Sequence, residues 1–347
     1  MPNPAHQRNN PEITALPATA PIEEIVSVIR RDGGIIIKNF ITPEEADRIQ
    51  AEADPHYQKV GKYEGTLFPP TDPPLRFFPA ATTYDYELQL GYWRLWTASA
   101  DVAMRERILV GGKSRHGFAG KSPTFAHKAI NHPVYREASK VLLKEESYPF
   151  RDGKRYKCVS NPVLAVSEAF SRGRSKAQPL HRDDMAQHFD HVEGSGESSL
   201  LGLLVAGTKC TFENGATQVI VGSHLWPEAA ISGPADRSMC STAEMEKGDA
   251  VMITGSVWHG AGANITDERR NIFSCHMVRG SYRADENQYL AIPLEVIKDY
   301  DPEVQSLLGY SVSHPNCGHV DMKDPIVMLG SNEDPFGYGS IEGQVVA

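Results

Sequence analysis

The sequence has no CxxC pair and no even set of cysteines: Cys158, Cys210, Cys240, Cys275 and Cys317 are five in number and widely scattered. Such spacing builds neither a disulfide framework nor a zinc knuckle, and a reducing compartment fits it best. Long apolar runs are missing too. None approaches the roughly 20 residues of a membrane helix. The polar, Pro/Asn-rich stretch Met1 to Thr19 has no basic start followed by an apolar run, so it does not read as a secretory signal. Gln344 to Ala347 is not a peroxisomal address, and the cytoplasm is the expected location. Positive charge is in deficit: 35 Lys and Arg stand against 44 Asp and Glu, a formal charge of -9. Phosphate backbones and anionic membranes call for a basic footprint. The expected partner is therefore a small-molecule substrate, with no nucleic acid and no integral membrane association.

What the chain does have is core material, with 40% hydrophobic and 23% charged residues over 347 positions. One elaborated domain over 1–347 is expected, because double-stranded β folds reach this length as single units. Residues 1–19 read as a flexible N-terminus. From Pro21 to Asp32 the residues Ile22, Ile25, Val26 and Ile29 recur at helical spacing and Gly33-Gly34 ends the pattern. Ile35 to Phe40 is a compact apolar strand, and Thr42-Pro43-Glu44-Glu45 has the form of a capping box opening a second helix through about Ala53. Residues 56–155 form an irregular helical and loop insertion with Pro/Gly-rich turns, helical patches near 97–107 and 133–146, and a small basic cluster, Lys113, Arg115, His116 and Lys121, read as a solvated loop. Short β-rich runs follow at 163–170, 199–206, 217–221, 249–254 and 271–279, the spacing of an antiparallel barrel or jelly roll with its core over 156–290. The fold class is thus mainly β with flanking α-helices. Residues 291–347, with a helix near 301–308, read as a C-terminal lid or dimer arm.

Three features carry chemistry. In His181-Arg182-Asp183 the outer residues share one face of an extended strand, so both can reach one ion while Arg182 points away. His259 closes the apolar run Val251-Met252-Ile253 through Trp258, just before a Gly-rich turn. Two imidazoles and one carboxylate leave three adjacent octahedral positions free, the arrangement of non-haem Fe(II) oxygenases. Arg270 stands eleven residues after His259 at the start of a strand, where its planar fork suits a carboxylate. Adjacent Arg269 is equally basic, and only strand alternation separates the two.

Together with Glu213-Asn214-Gly215-Ala216-Thr217 and Val221-Gly222-Ser223-His224-Leu225-Trp226, these residues resemble the phytanoyl-CoA dioxygenase-like Fe(II)/2-oxoglutarate enzymes, particularly fungal secondary-metabolite members, over about 22–55 and 156–290. The resemblance implies a double-stranded β-helix of the cupin-like jelly-roll kind. It implies Fe(II) held by His181, Asp183 and His259, and the cosubstrates 2-oxoglutarate and O2. Gln178 and Thr217 would help hold 2-oxoglutarate, with Arg270 on its C5 carboxylate. The implied reaction oxidises a C–H bond by hydroxylation, desaturation or rearrangement, with release of succinate and CO2. A small natural product such as a meroterpenoid or alkaloid is the expected substrate, a small amino acid or acyl conjugate the alternative, and a homodimer the expected assembly. Val221-Gly222 stands where the family more often has Pro-Gly, and 56–155 matches no particular member. Asp183 sets the chain apart from halogenase variants, in which a small residue replaces the carboxylate.

Four further histidines of the β-rich half, His188, His191, His224 and His276, are rival ligands read as structural. Trp226 and Trp258 read as packing aromatics, Asn214-Gly215 as a type I′ turn compatible with a cofactor role, and Asn287 and Gln288 as turn caps. Two other functions stay open. A cupin-like hydrolase or isomerase would hold Zn(II) and a water on the same ligands, and a non-catalytic barrel would use the cup alone.

Overall fold

The computed structural model describes residues 10–58, 112–151, 153–227, 235–330 and 345–346. The helical patch expected near 97–107 lies outside these residues. Ten strands frame the molecule: β1 Ala15–Pro17, β2 Gly34–Lys38, β3 Gly112–His116, β4 Val163–Arg172, β5 Leu200–Ala206, β6 Thr217–Val219, β7 Ser241–Thr242, β8 Ala250–Thr254, β9 His259–Ala261 and β10 Arg270–Val278. Seven form a large sheet in the order β1-β2-β8-β5-β10-β4-β3, and three form a smaller one, β7-β6-β9. Every pairing is antiparallel except β1 with β2.

Alternation along the strands sorts the side chains into two cores. On β10, Phe273, Cys275 and Met277 join an outer cluster with the helices, whereas Ile272 joins Val219, Val251, Ile253 and Ala206 between the two sheets. This is the jelly roll foreseen from the strand spacing. Against the outer face lie α1 Ile22–Asp32, α2 Pro43–Gln58, α3 Pro133–Leu143 and α4 Pro302–Leu307. Among the described residues no helix is long and apolar enough to cross a membrane.

The capping box forms as expected: the Thr42 amide donates to Glu45 Oε2 at 3.0 Å and the Glu45 amide to Thr42 Oγ1 at 3.1 Å. Thr42→Ala should therefore cost about 1 kcal/mol, read from the urea midpoint. The helix it opens runs past Pro55 to Gln58, beyond the expected end near Ala53. Burial of Ala46, Ile49, Ala53 and Tyr57 along one stripe continues to favour helix after the local sequence has stopped doing so.

Two other expectations are corrected. Ala15–Pro17, within the stretch read as flexible, pairs in parallel with Ile36–Lys38, because the outer edge of β2 offers unpaired backbone groups. Lys113, Arg115 and His116 belong to edge strand β3 rather than to a loop, with Arg115 Nε on the His56 carbonyl and His116 Nδ1 2.5 Å from Glu168 Oε1. Charged residues are common on sheet edges, where they blunt association with other strands. The C-terminal segment read as lid or dimer arm supplies Ile292, Ile297, Tyr300, Val304 and Leu308 to the outer core.

Tyr135 of α3 is fully buried, donating its hydroxyl to the Leu201 carbonyl at 2.7 Å and accepting from the Met277 amide at 3.0 Å. It thereby ties β5 to β10 where the register of β10 against β4 slips: His276 pairs with Val166 but Met277 with Leu164, leaving Ala165 over.

Candidate metal and cosubstrate site

His181, Asp183 and His259 converge, each offering a ligand atom within 4.8 Å of the others. The backbone that achieves this is not the extended strand foreseen for His181-x-Asp183. His181 makes a single antiparallel bridge to His259, and the chain then turns, with Asp183 at φ -85 and ψ -22 leading into the short helical turn Asp184–Gln187. The Gly255 carbonyl draws that turn in by accepting from the Asp183 amide at 2.8 Å and the Asp184 amide at 3.3 Å. A Cβ at Gly255 would stand 2.6 Å from Leu200 Cβ and 3.0 Å from Asp184 Cβ, so only glycine permits the approach.

Both imidazoles are aimed from behind. His181 Nδ1 lies 2.9 Å from the Pro179 carbonyl and His259 Nδ1 lies 3.1 Å from the Val257 carbonyl. A carbonyl only accepts, so each Nδ1 carries the proton and each Nε2 presents a lone pair. Those two Nε2 atoms sit 3.4 Å from Asp183 Oδ1 and Oδ2 respectively. Burial, only partly offset by the Asp183 charge, lowers His259 to about 4, which keeps the ring neutral and ready to ligate at neutral pH. Burial works to raise the Asp183 carboxyl, but the surroundings formed by His259, His181 and His276 prevail and hold it well below the usual carboxylate range. The donor set of two neutral imidazoles and one carboxylate fits a divalent iron centre with open positions.

Arg182 points away as foreseen and locks the ligand segments together. Its guanidinium is buried, donates to the Ser223 and Trp226 carbonyls at 3.2 and 2.9 Å, and stacks 5.3 Å from the Trp258 ring. The neighbour of one ligand thus rests on the neighbour of another. Arg182→Ala should destabilise the metal-free protein by about 3 kcal/mol, the scale of losing charge-assisted bonds and leaving carbonyls bare, measured by urea unfolding.

Strand register settles the two arginines. Arg270 turns inward and is 4% exposed, whereas Arg269 turns to Ser171, donating to its hydroxyl at 2.9 Å and its carbonyl at 2.7 Å. Arg270 Nε is buried with no hydrogen-bond partner, the Cys210 thiol lies beside the guanidinium, and it makes no ion pair among the described residues. A buried guanidinium without an anion is costly. This orphaned donor fits the distal carboxylate of a dicarboxylic acid. Gln178 and Thr217 are brought together on Ala261: Gln178 Oε1 accepts from its amide at 3.3 Å, and buried Thr217 is its cross-strand partner.

Of the four rival histidines, three are placed structurally. His188 caps the turn Asp184–Gln187 in the left-handed region, His191 Nε2 faces Asp184 Oδ1 at 3.3 Å, and His224 Nε2 meets the Arg30 carbonyl at 3.0 Å. Burial lowers His224 below its ordinary value of 6.5. The unfolded chain therefore takes up this proton first as pH falls, and stability present above about 6.5 is lost below it. The urea midpoint should fall from about pH 7.5 to about pH 5.5, and less steeply in His224→Gln. The fourth, His276, read from the sequence as a structural rival with no tie to the ligands, reaches the candidate ligand set: its Nε2 lies 3.0 Å from Asp183 Oδ2. Its place on the inward alternation of β10, six residues beyond Arg270, was the available signal.

Comparison with known proteins identifies the family of the chain. The family model described as Phytanoyl-CoA dioxygenase (PhyH) matches residues 29–272. "Dioxygenase peniF" of Penicillium patulum is 32% identical over 324 residues, covering 91% of each chain. "Dioxygenase swnH1" of Arthroderma benhamiae is 32% identical over 319 residues, covering 90% of each. Among solved structures, the non-heme alpha ketoglutarate dependent carbocyclase SnoK from nogalamycin biosynthesis aligns with a TM-score of 0.49 at 14% identity, over 81% of this chain and 92% of that one. With the family model spanning most of the chain and two dioxygenases matched along nine-tenths of it, the protein belongs to the phytanoyl-CoA dioxygenase family and is a dioxygenase.

Proposed function

We propose that the chain uses Fe(II), 2-oxoglutarate and O2 to oxidise a C–H bond of a small natural product in secondary metabolism, with His181, Asp183 and His259 as metal ligands and Gln178, Thr217 and Arg270 as cosubstrate residues. The observation that carries this reading is the pairing of two unlike needs inside one jelly roll. Three ligand atoms converge within 4.8 Å, and a buried guanidinium has an unsatisfied Nε. A hydrolytic metal centre would use the first and leave the second unexplained.

Held by His181, Asp183 and His259, iron would supply, with 2-oxoglutarate and O2, the oxidation of an unactivated C–H bond, with succinate and CO2 as the coproducts. The protein's own residues bind and orient. Backbone carbonyls of Pro179 and Val257 hold the two imidazoles in the ligating tautomer. Arg270 gives the C5 carboxylate of the cosubstrate a two-pronged partner, which selects a dicarboxylate over a monocarboxylate. Thr217 and Gln178 both meet Ala261 of the smaller sheet, the first as its cross-strand partner and the second through its side-chain amide.

Support for the substrate class comes from the similarity to fungal dioxygenases and from the deficit of positive charge, which offers little to a polyanionic carrier. Anaerobic addition of Fe(II) and 2-oxoglutarate should produce the weak visible charge-transfer band of the chelate. A folded protein without that band would refute the proposal. Light scattering tests the homodimer and cell fractionation the cytoplasmic location, both of which belong to the same proposal.

A further inference from the structure

We infer that His276 is a positioning residue that donates to one oxygen of the Asp183 carboxylate and so reserves the other for the metal; this rests on the ligand assignment above. Three imidazoles touch Asp183, and their second nitrogens tell them apart. His181 and His259 each place Nδ1 on a backbone carbonyl, which puts the proton there and leaves Nε2 bare. His276 Nδ1 is buried with no partner, and its Nε2 lies 3.0 Å from Asp183 Oδ2. A carboxylate can only accept, so the His276 Nε2 carries a hydrogen. His259 Nε2, 3.4 Å from the same Oδ2, has none to give. Among the three rings His276 alone is the donor.

The barrel is built to put that ring there. His276 pairs with Gly202 on β5, and a Cβ at Gly202 would stand 2.8 Å from His276 Cδ2 and 2.9 Å from Nε2. Any larger residue would push the imidazole off the carboxylate. On the other side the register slip between His276 and Met277 marks the same point of the strand, and the Tyr135 hydroxyl takes the Met277 amide. A glycine opposite and an irregularity beside a side chain are the usual means of re-aiming it.

The consequence is coordination number. A carboxylate with both oxygens free can chelate, occupying two of the positions on the ion. With Oδ2 engaged by His276, Asp183 offers a single oxygen, and three adjacent positions stay open for a bidentate cosubstrate and O2.

Cobalt(II) added to the metal-free full-length protein tests this without turnover, since its visible spectrum reports coordination number. His276→Ala should bind Co(II) about 10- to 100-fold more weakly, the scale of removing an outer partner of a ligand, with an altered band shape. His276→Gln, which keeps an N–H donor, should recover most of the affinity and the wild-type spectrum. Gly202→Ala keeps the histidine but crowds its ring, and should reproduce the His276→Ala spectrum even if His276→Ala itself folds poorly. Co(II) affinity within twofold of wild type and an unchanged spectrum in a folded His276→Ala, or in Gly202→Ala, would overturn the inference, as would failure of His276→Gln to recover either. If wild-type protein binds no Co(II) at these residues, the ligand assignment itself is what fails.

Discussion

Asp183→Ala protein is expected to bind Fe(II) or Co(II) at least about 1000-fold more weakly than wild type, a loss on the order of 4 kcal/mol. Asp183 is the one anionic member of the three candidate ligands, and two imidazoles alone are a weak site for a divalent ion. The fold should survive, because the backbone at this position is held by the Gly255 carbonyl and by Arg182 rather than by the carboxylate. Equilibrium dialysis read beside the unfolding curve of the metal-free protein checks both halves. Tight stoichiometric metal binding by a folded Asp183→Ala protein would show that the ion sits elsewhere.

Arg270→Met should produce opposite effects in two measurements on the same protein. Affinity for 2-oxoglutarate, titrated anaerobically with the metal in place, is expected to fall about 100- to 1000-fold, the scale of breaking a buried charge-assisted pair. The cosubstrate-free protein, in contrast, should melt at the same temperature as wild type or higher. Arg270 is 4% exposed and burial lowers its affinity for its proton, the mark of a charge the free fold holds at a cost. An apolar side chain of similar length removes that cost. Arg270→Lys should lie between, keeping the charge but losing the planar fork. Unchanged 2-oxoglutarate binding in Arg270→Met would reopen the hydrolase and isomerase readings.

The candidate ligand set was legible because its elements are local or nearly so. His181 and Asp183 are two apart, His259 follows an apolar strand, and Arg270 opens another. Strand positions were legible for the same reason: apolar runs such as 200–206 and 250–254 bury every residue or nearly so. Errors fell where a contact distant in sequence overrode a local signal. The helix opening at Pro43 continued through Pro55 because Tyr57 still had a core to enter. The basic run 113–116 became an edge strand because β4 needed a partner on that side. The His181-x-Asp183 pair met at a turn, since the Gly255 carbonyl, more than seventy residues on, captured two amides.

By itself the amino-acid sequence determined the jelly-roll class and its membership among these dioxygenases. It also supplied the identity of the three candidate ligands, all expressed in short-range periodicity and in residue types at readable spacings. The tertiary structure alone decided that Arg270 rather than Arg269 faces inward, which nitrogen of each histidine carries its proton, and that His276 reaches Asp183. The physical reason is common to all three. Each depends on which side of a strand a residue occupies and which carbonyl lies behind it, and one residue of register reverses the first while distant backbone sets the second.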